Sequence, residues 1–357
     1  MRIFTLSALL IASITLVMPA ASAPARPGTQ RLALDRARTI APEGGCKRVG
    51  RGPFFSSASP WNTATAASAP LDPSSPAMIT GLLGQVRQYG TGFNTTSWSV
   101  PIYTVAASQT AVRVTLDNPN RYLQQAWEAV PLPPTARPAA GTDRQLVVWQ
   151  PATDTMWEFW HMEIRADGWH AEYGGRIVEA SENPGYYVTI GNETGAGFAE
   201  QSWWGATATG LPLAAGLVTA EEVRCGSIDH ALALALPRTR QGQIAWPAQR
   251  GDGKDPSATA IPEGTRLRLD PSLDLATLNM PPFTRMLARA AQRYGLIVRD
   301  GAGSVALYGE DPTPLGADPW PSLTGNLKPW QFMPSFPWSR LQVLRPDLRA
   351  YPARPAG

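Results

Sequence analysis

The chain has 357 residues, 43% of them apolar, and a formal net charge of +3. That length suits one large domain or two smaller ones, and so small a charge leaves no electrostatic footprint for a nucleic-acid binder. Thirteen tryptophans stand beside only three histidines and two cysteines, and flat amphipathic rings in such number serve sugar-binding surfaces as well as cores and interfaces.

Arg2, the apolar run Ile3 to Met18 and the small residues Ala20 to Ala25 read as a secretory signal peptide over residues 1–25. The run is short for a membrane span and no stop-transfer charges follow it, so an exported protein without a membrane span is expected, on the extracellular or envelope side. Residues 26–55 are rich in Gly and Pro and read as an extended leader carrying Cys46. In an oxidising compartment Cys46 is expected to pair with Cys225. Closing so long a loop contributes on the order of 5 kcal/mol in the chain-entropy model.

From Ser56 the pattern becomes that of a β-rich main domain, residues 56–310. Ile79, Leu82, Leu83 and Val86 carry the spacing of a helix over Met78 to Tyr89. Short β-branched runs follow at Ser97 to Val105 and Ala111 to Leu116. Strands are then predicted at Arg144 to Gln150, Thr155 to Ile164 and Trp169 to Ile177, joined by turns at Pro151 to Asp154 and Asp167-Gly168. Thr219-Ala-Glu-Glu222 is a capping box and Gly226 a helix stop. A strand over Ile228 to Leu236 would place His230 on the face of Ile228, Leu232, Leu234 and Leu236, opposite Asp229, Ala231, Ala233 and Ala235. Another short strand falls at Thr265 to Leu269. Pro282 opens the clearest helix, which Gly295 ends, with Phe283, Met286, Leu287, Ala290, Ala291 and Tyr294 on one stripe. Leu296 to Asp300 and Ser304 to Tyr308 read as a hairpin. Residues 311–357 form a Pro- and Trp-rich extension wrapped over the body. Many short strands with a few helices predict a mainly β, antiparallel body of jelly-roll or sandwich type.

Three residues are candidates for catalysis. An imidazole among leucines must find a hydrogen-bond partner or open onto a cleft, which makes His230 either a satisfied core residue or a base. Glu158 alternates with Met156, Trp160 and Met162, so its pKa is raised by desolvation unless a cation such as Arg144 holds it ionised. Tyr294 is either a packed core tyrosine or an acid. On the next predicted strand His170, Glu172 and Arg176 share one side while Trp169 and Tyr173 share the other. No Gly-x-Ser-x-Gly elbow, His-Glu-x-x-His, P-loop or dinucleotide fingerprint is present. Asp252-Gly-Lys-Asp255 is too sparse for a calcium loop, and His161 and His170 alone make a poor metal site. No cofactor is expected.

The motifs Gly210-Leu-Pro-Leu-Ala-Ala-Gly-Leu217, Glu222-Val, Gly226-x-Ile-x-His-Ala-Leu232, Trp246-Pro-Ala248 and Arg293-Tyr-Gly-x-Ile-Val-x-Asp300 resemble a group of secreted bacterial proteins, many of them predicted from genomes. The resemblance runs from Pro60-Trp-Asn62 to Tyr308. It implies that His230, Glu158 and Tyr294 sit within recurring motifs, and it attaches no activity.

Two readings follow. In one the protein is a polysaccharide-degrading enzyme: a hydrolase with Glu158 as proton donor and Glu172 as the nearest second carboxylate, or a lyase with His230 as base, Tyr294 or Tyr173 as acid and Arg144 or Arg176 clamping a uronate. In the other it is a non-catalytic glycan-binding or cell-wall protein with Trp160, Trp169, Trp203 and Trp204 as platforms. A surface structural protein without a small ligand is the blandest alternative.

Overall fold

The computed structural model describes residues 54–187 and 204–350. The predicted signal peptide, nearly all of the predicted leader, Cys46 and Trp203 lie outside the described residues. No free cysteine occurs among those described.

The chain is mainly β. After helix α1 (Ser75–Tyr89) come β1 (Thr91–Asn94), β2 (Ile102–Thr104), β3 (Val114–Leu116) and the short helix α2 (Arg121–Ala126). The centre holds β4 (Leu146–Gln150), β5 (Thr155–Trp160), β6 (Glu163–Arg165), β7 (Gly168–Ala171) and β8 (Tyr173–Ile177). Then follow α3 (Ala220–Cys225), β9 (Leu232–Leu236), β10 (Gln243–Ala245), β11 (Arg266–Leu269), α4 (Pro282–Arg293), β12 (Leu296–Gly301) and β13 (Val305–Tyr308). Two single-turn helices, α5 (Trp320–Leu323) and α6 (Pro329–Phe332), precede β14 (Leu341–Val343) and β15 (Leu348–Ala350).

A six-stranded sheet runs β1-β13-β9-β12-β11-β14, a four-stranded sheet β2-β4-β5-β8 and a three-stranded sheet β3-β7-β6, while β10 pairs with β15. The expectation of an antiparallel body is corrected: β1/β13, β9/β12, β2/β4 and β3/β7 are parallel pairs, so the larger sheets are mixed. The predicted hairpin over 296–308 is corrected too, because β9 lies between β12 and β13 and pairs with both.

The alternation Leu-Ala-Leu-Ala-Leu explains why β9 is central. Leu232, Leu234 and Leu236 face a core shared with α1 and α4, whereas Ala231, Ala233 and Ala235 face a second core shared with β4 and β5. Each fully buried leucine contributes about 1.5–3 kcal/mol. The alanines leave room on the other side for residues 204–217, all of which are buried except Ala208.

Two long predicted strands are broken. His161 sits at φ +55°, and the chain leaves the four-stranded sheet there to form β6 in the three-stranded one. Glu172 marks the second break, between β7 and β8, so His170 and Arg176 lie in different sheets and do not share a strand face. The C-terminal segment is more than a wrapping: Trp320, Phe332, Met333, Phe336 and Trp338 enter the helix-side core, and β14 pairs with β11.

Candidate functional site

A buried loop crosses between two sheets. Irregular segments normally stay on the surface because their backbone polar groups need partners. Here charged side chains supply them. Glu158 Oε1 accepts from the Ala206 N–H at 2.8 Å and Oε2 from the Leu213 N–H at 2.7 Å. Arg299 Nη1 donates to the carbonyls of Leu213 and Ala215, at 2.5 and 3.0 Å. Arg250 donates to the carbonyls of Trp204, Gly205 and Thr207 at 2.6–2.8 Å. Asp300 Oδ1 accepts from Ala208 N–H at 3.1 Å. A register shift against β9 between Val298 and Asp300 places Arg299 in a bulge, and the bulge brings two consecutive charged residues to one segment.

Glu158 is fully buried. Desolvation pushes its carboxyl up, against the Leu213 and Ala206 N–H groups, Tyr187 and the field of Arg299, which pull it down. The cations in its field are therefore Arg299 and Arg250 rather than Arg144, which pairs with Glu163 near the surface. Gly175, its register partner on β8, is a glycine of necessity: a Cβ there would lie 2.2 Å from the Tyr187 hydroxyl. With both oxygens accepting and no exposed surface, Glu158 anchors the loop.

His230 precedes β9 instead of lying on it. Its Nδ1 is 2.8 Å from the Ala231 carbonyl and its Nε2 3.1 Å from Glu222 Oε1, so both nitrogens face acceptors. Nδ1 must donate, and Nε2 donates to a carboxylate when the ring is charged; neither lone pair is left to take a substrate proton. Burial raises the Glu222 carboxyl, but the charge and hydrogen bonding of His230 and the Thr219 groups outweigh it, and the net shift is downward. Glu222 also closes the predicted capping box on Thr219. A cavity of about 20 Å³, bordered by His230, Glu222, Trp61 and Asn62, has room for one water. Thr219→Ala is expected to cost about 1–2 kcal/mol in urea unfolding, through loss of the cap and of one partner of Glu222.

Tyr294 closes α4 as its C-cap, buried in the sheet-side core with Arg293 5.1 Å from its ring. His230 is tied to α3 and Glu158 to the 204–217 loop, whereas the Tyr294 carbonyl accepts from the Thr65 hydroxyl at 3.3 Å. Trp204 is only 3% exposed and packs edge-on to Tyr187, so it offers no platform. Trp160 stacks on His161 at 3.5 Å, and His161 pairs with Glu172 at 2.9 Å. Trp169 is half-buried against the core. His170 bridges Asp117 at 2.8 Å and Asp167 at 3.1 Å, and Arg165 closes the group onto Asp117 and Glu163. Arg176 lies opposite Trp157 on β8, half-buried. No group of three or more His, Cys, Asp or Glu able to hold a metal occurs among the described residues.

The open concavity lies elsewhere. A groove of about 600 Å³ runs between the loop after β1 and the α5–α6 region. Trp98 is 47% exposed on one side and Trp330 69% exposed on the other. Its floor is an aromatic cluster in which Phe93 meets Trp320 at 5.2 Å and Phe332 at 6.0 Å, both edge-on. Trp98 is held in place: its Nε1 donates to Thr142 Oγ1 at 3.0 Å and its backbone takes φ +50°, an uncommon conformation for a bulky residue. Gly141 permits this, since a Cβ there would lie 2.9 Å from the indole. Sequence reasoning singled out neither residue as a site. Trp98 sat inside a predicted strand and Trp330 in a predicted wrapping; the available signals were the serines on either side of Trp98 and the prolines around Trp330. No family model matches the chain, and neither a curated protein nor a solved structure does.

Proposed function

We propose that this is an exported glycan-binding protein whose ligand lies in the groove between Trp98 and Trp330. The observation that carries this reading is a pair of exposed indoles flanking a concavity with a rigid aromatic floor and a polar rim. A pyranose presents C–H groups on its faces and hydroxyls at its edge. The faces suit the negative face of an indole, and the hydroxyls suit amide and hydroxyl side chains. The mixed sheets supply the scaffold. Catalysis by His230, Glu158 and Tyr294 is the weaker reading, because each is buried and His230 and Glu158 already have structural partners.

The test is retention of the purified protein on insoluble polysaccharides, followed by titration with soluble oligosaccharides. Trp98→Ala and Trp330→Ala are each expected to weaken binding at least tenfold while leaving the thermal midpoint of Trp330→Ala within about 2 °C, since that side chain is mostly in solvent. Binding that survives both substitutions sinks the groove assignment. Retention of a proline-rich peptide in place of any glycan does so as well, because aromatic grooves also take that class of ligand.

A further inference from the structure

We infer that the groove selects uncharged glycan chains and discriminates against uronates. This rests on the groove reading above and adds the class of sugar. The hydrogen-bonding groups of the rim are short and neutral: Asn94, Thr95, Thr96, Ser97 and Asn326. Amides and hydroxyls both donate and accept, which matches sugar hydroxyls. The two charged residues of the lining, Asp318 and Lys328, are one of each sign and cancel. Asp318 Oδ1 already accepts from the Trp320 N–H at 3.0 Å, which holds this carboxylate at the groove. An acidic sugar would therefore meet one carboxylate and one ammonium whose fields offset, and no arginine fork, the group best suited to a carboxylate. Arginines are plentiful elsewhere, as in the Arg165 cluster with Asp117 and Glu163, so their absence from this lining belongs to the site and not to composition.

Trp98 sharpens the selection. An indole fixed at its Nε1 by Thr142 and seated against Gly141 presents one preset face, so a ligand pays little to order it. A preset apolar face rewards a ring with an unbroken C–H surface and gives nothing to a charged substituent. Gly141 and Thr142 are thus positioning residues that act through Trp98.

The experiment is a set of calorimetric titrations of the full-length protein with neutral gluco-, manno- and chito-oligosaccharides and with oligogalacturonate and oligoalginate of equal length, at low and high salt. At least one neutral series is expected to bind tenfold or more tightly than either acidic series, with affinity changing less than twofold between the two salt conditions. Thr142→Val is expected to weaken that affinity several-fold, and Trp330→Ala to cost as much in the Thr142→Val background as in the parent. Preferential binding of an acidic series, lost at high salt and in Lys328→Ala, overturns the inference while leaving the groove as the site. Failure of every oligosaccharide to bind overturns the groove reading itself.

Discussion

Replacing Arg299 by Met is expected to destabilise the protein by about 3–5 kcal/mol in denaturant unfolding. The side chain is fully buried, and its Nη1 satisfies two carbonyls of the 204–217 loop. Methionine fills much of the volume but leaves both carbonyls unpaired and removes a cation whose field reaches Glu158. Glu158→Gln is expected to cost about 2–3 kcal/mol, because an amide cannot accept from both Ala206 and Leu213: its NH₂ meets one of the two N–H donors. The double variant is expected to lose about 1–2 kcal/mol less than the two single losses added together, because the Glu158–Arg299 attraction is counted in both of them. Strict additivity would mean that the two side chains serve the loop independently, and that Arg299 does not act on the Glu158 carboxyl.

The contrast between these residues and their sequence shows what could be read in advance. The Thr219 capping box, the Gly226 stop and the Pro282 helix are local devices whose partners lie within one turn, and all three stand where the pattern put them. The alternation of β9 was equally readable, because successive side chains of any strand face opposite sides, here two different cores. The breaks at His161 and Glu172 were not: His161 is a left-handed residue that is neither glycine nor asparagine and carries no compositional mark, and nothing in the alternation around Glu172 signals the change of sheet. The partner of Glu158 was misplaced for a similar reason. Arg144 is close in sequence, whereas Arg299 reaches the loop only through a bulge on another sheet. The quoted motifs also take on a physical sense: Gly210 to Leu217 is the buried loop, Glu222 holds His230, and Arg293 to Asp300 ends in the residues that bind the loop. They describe a packing solution. The groove draws on Trp98 and Trp330, near opposite ends of the described chain, and no spacing rule joins them.

Glu263→Gln is expected to change how stability depends on pH. Burial pushes the Glu263 carboxyl up to about 8, with the negative charges of Asp252 and Asp300 adding to the effect. Asp300 is raised to about 7, again first by desolvation. A carboxyl raised in the fold holds a proton that the unfolded chain releases near pH 4–5, so stability falls as pH climbs from there through the folded values. Asp270, lowered to about 2 by Ser272 and Arg340, works the other way but only below the ordinary carboxylate range. Maximum stability is thus expected near pH 5, with a decline toward pH 9 on the order of 3–5 kcal/mol from Glu263. Glutamine copies the protonated acid. Its oxygen can accept from the Asp252 N–H, which lies 3.0 Å from Glu263 Oε2, and its NH₂ can donate to the Asp252 carboxylate in place of the shared proton. The variant should therefore match the parent at pH 5 and exceed it at pH 8.5, with a visibly flatter curve of unfolding free energy against pH. Two parallel curves would place the proton elsewhere in the group, and Asp300→Asn would then be the substitution that flattens the slope.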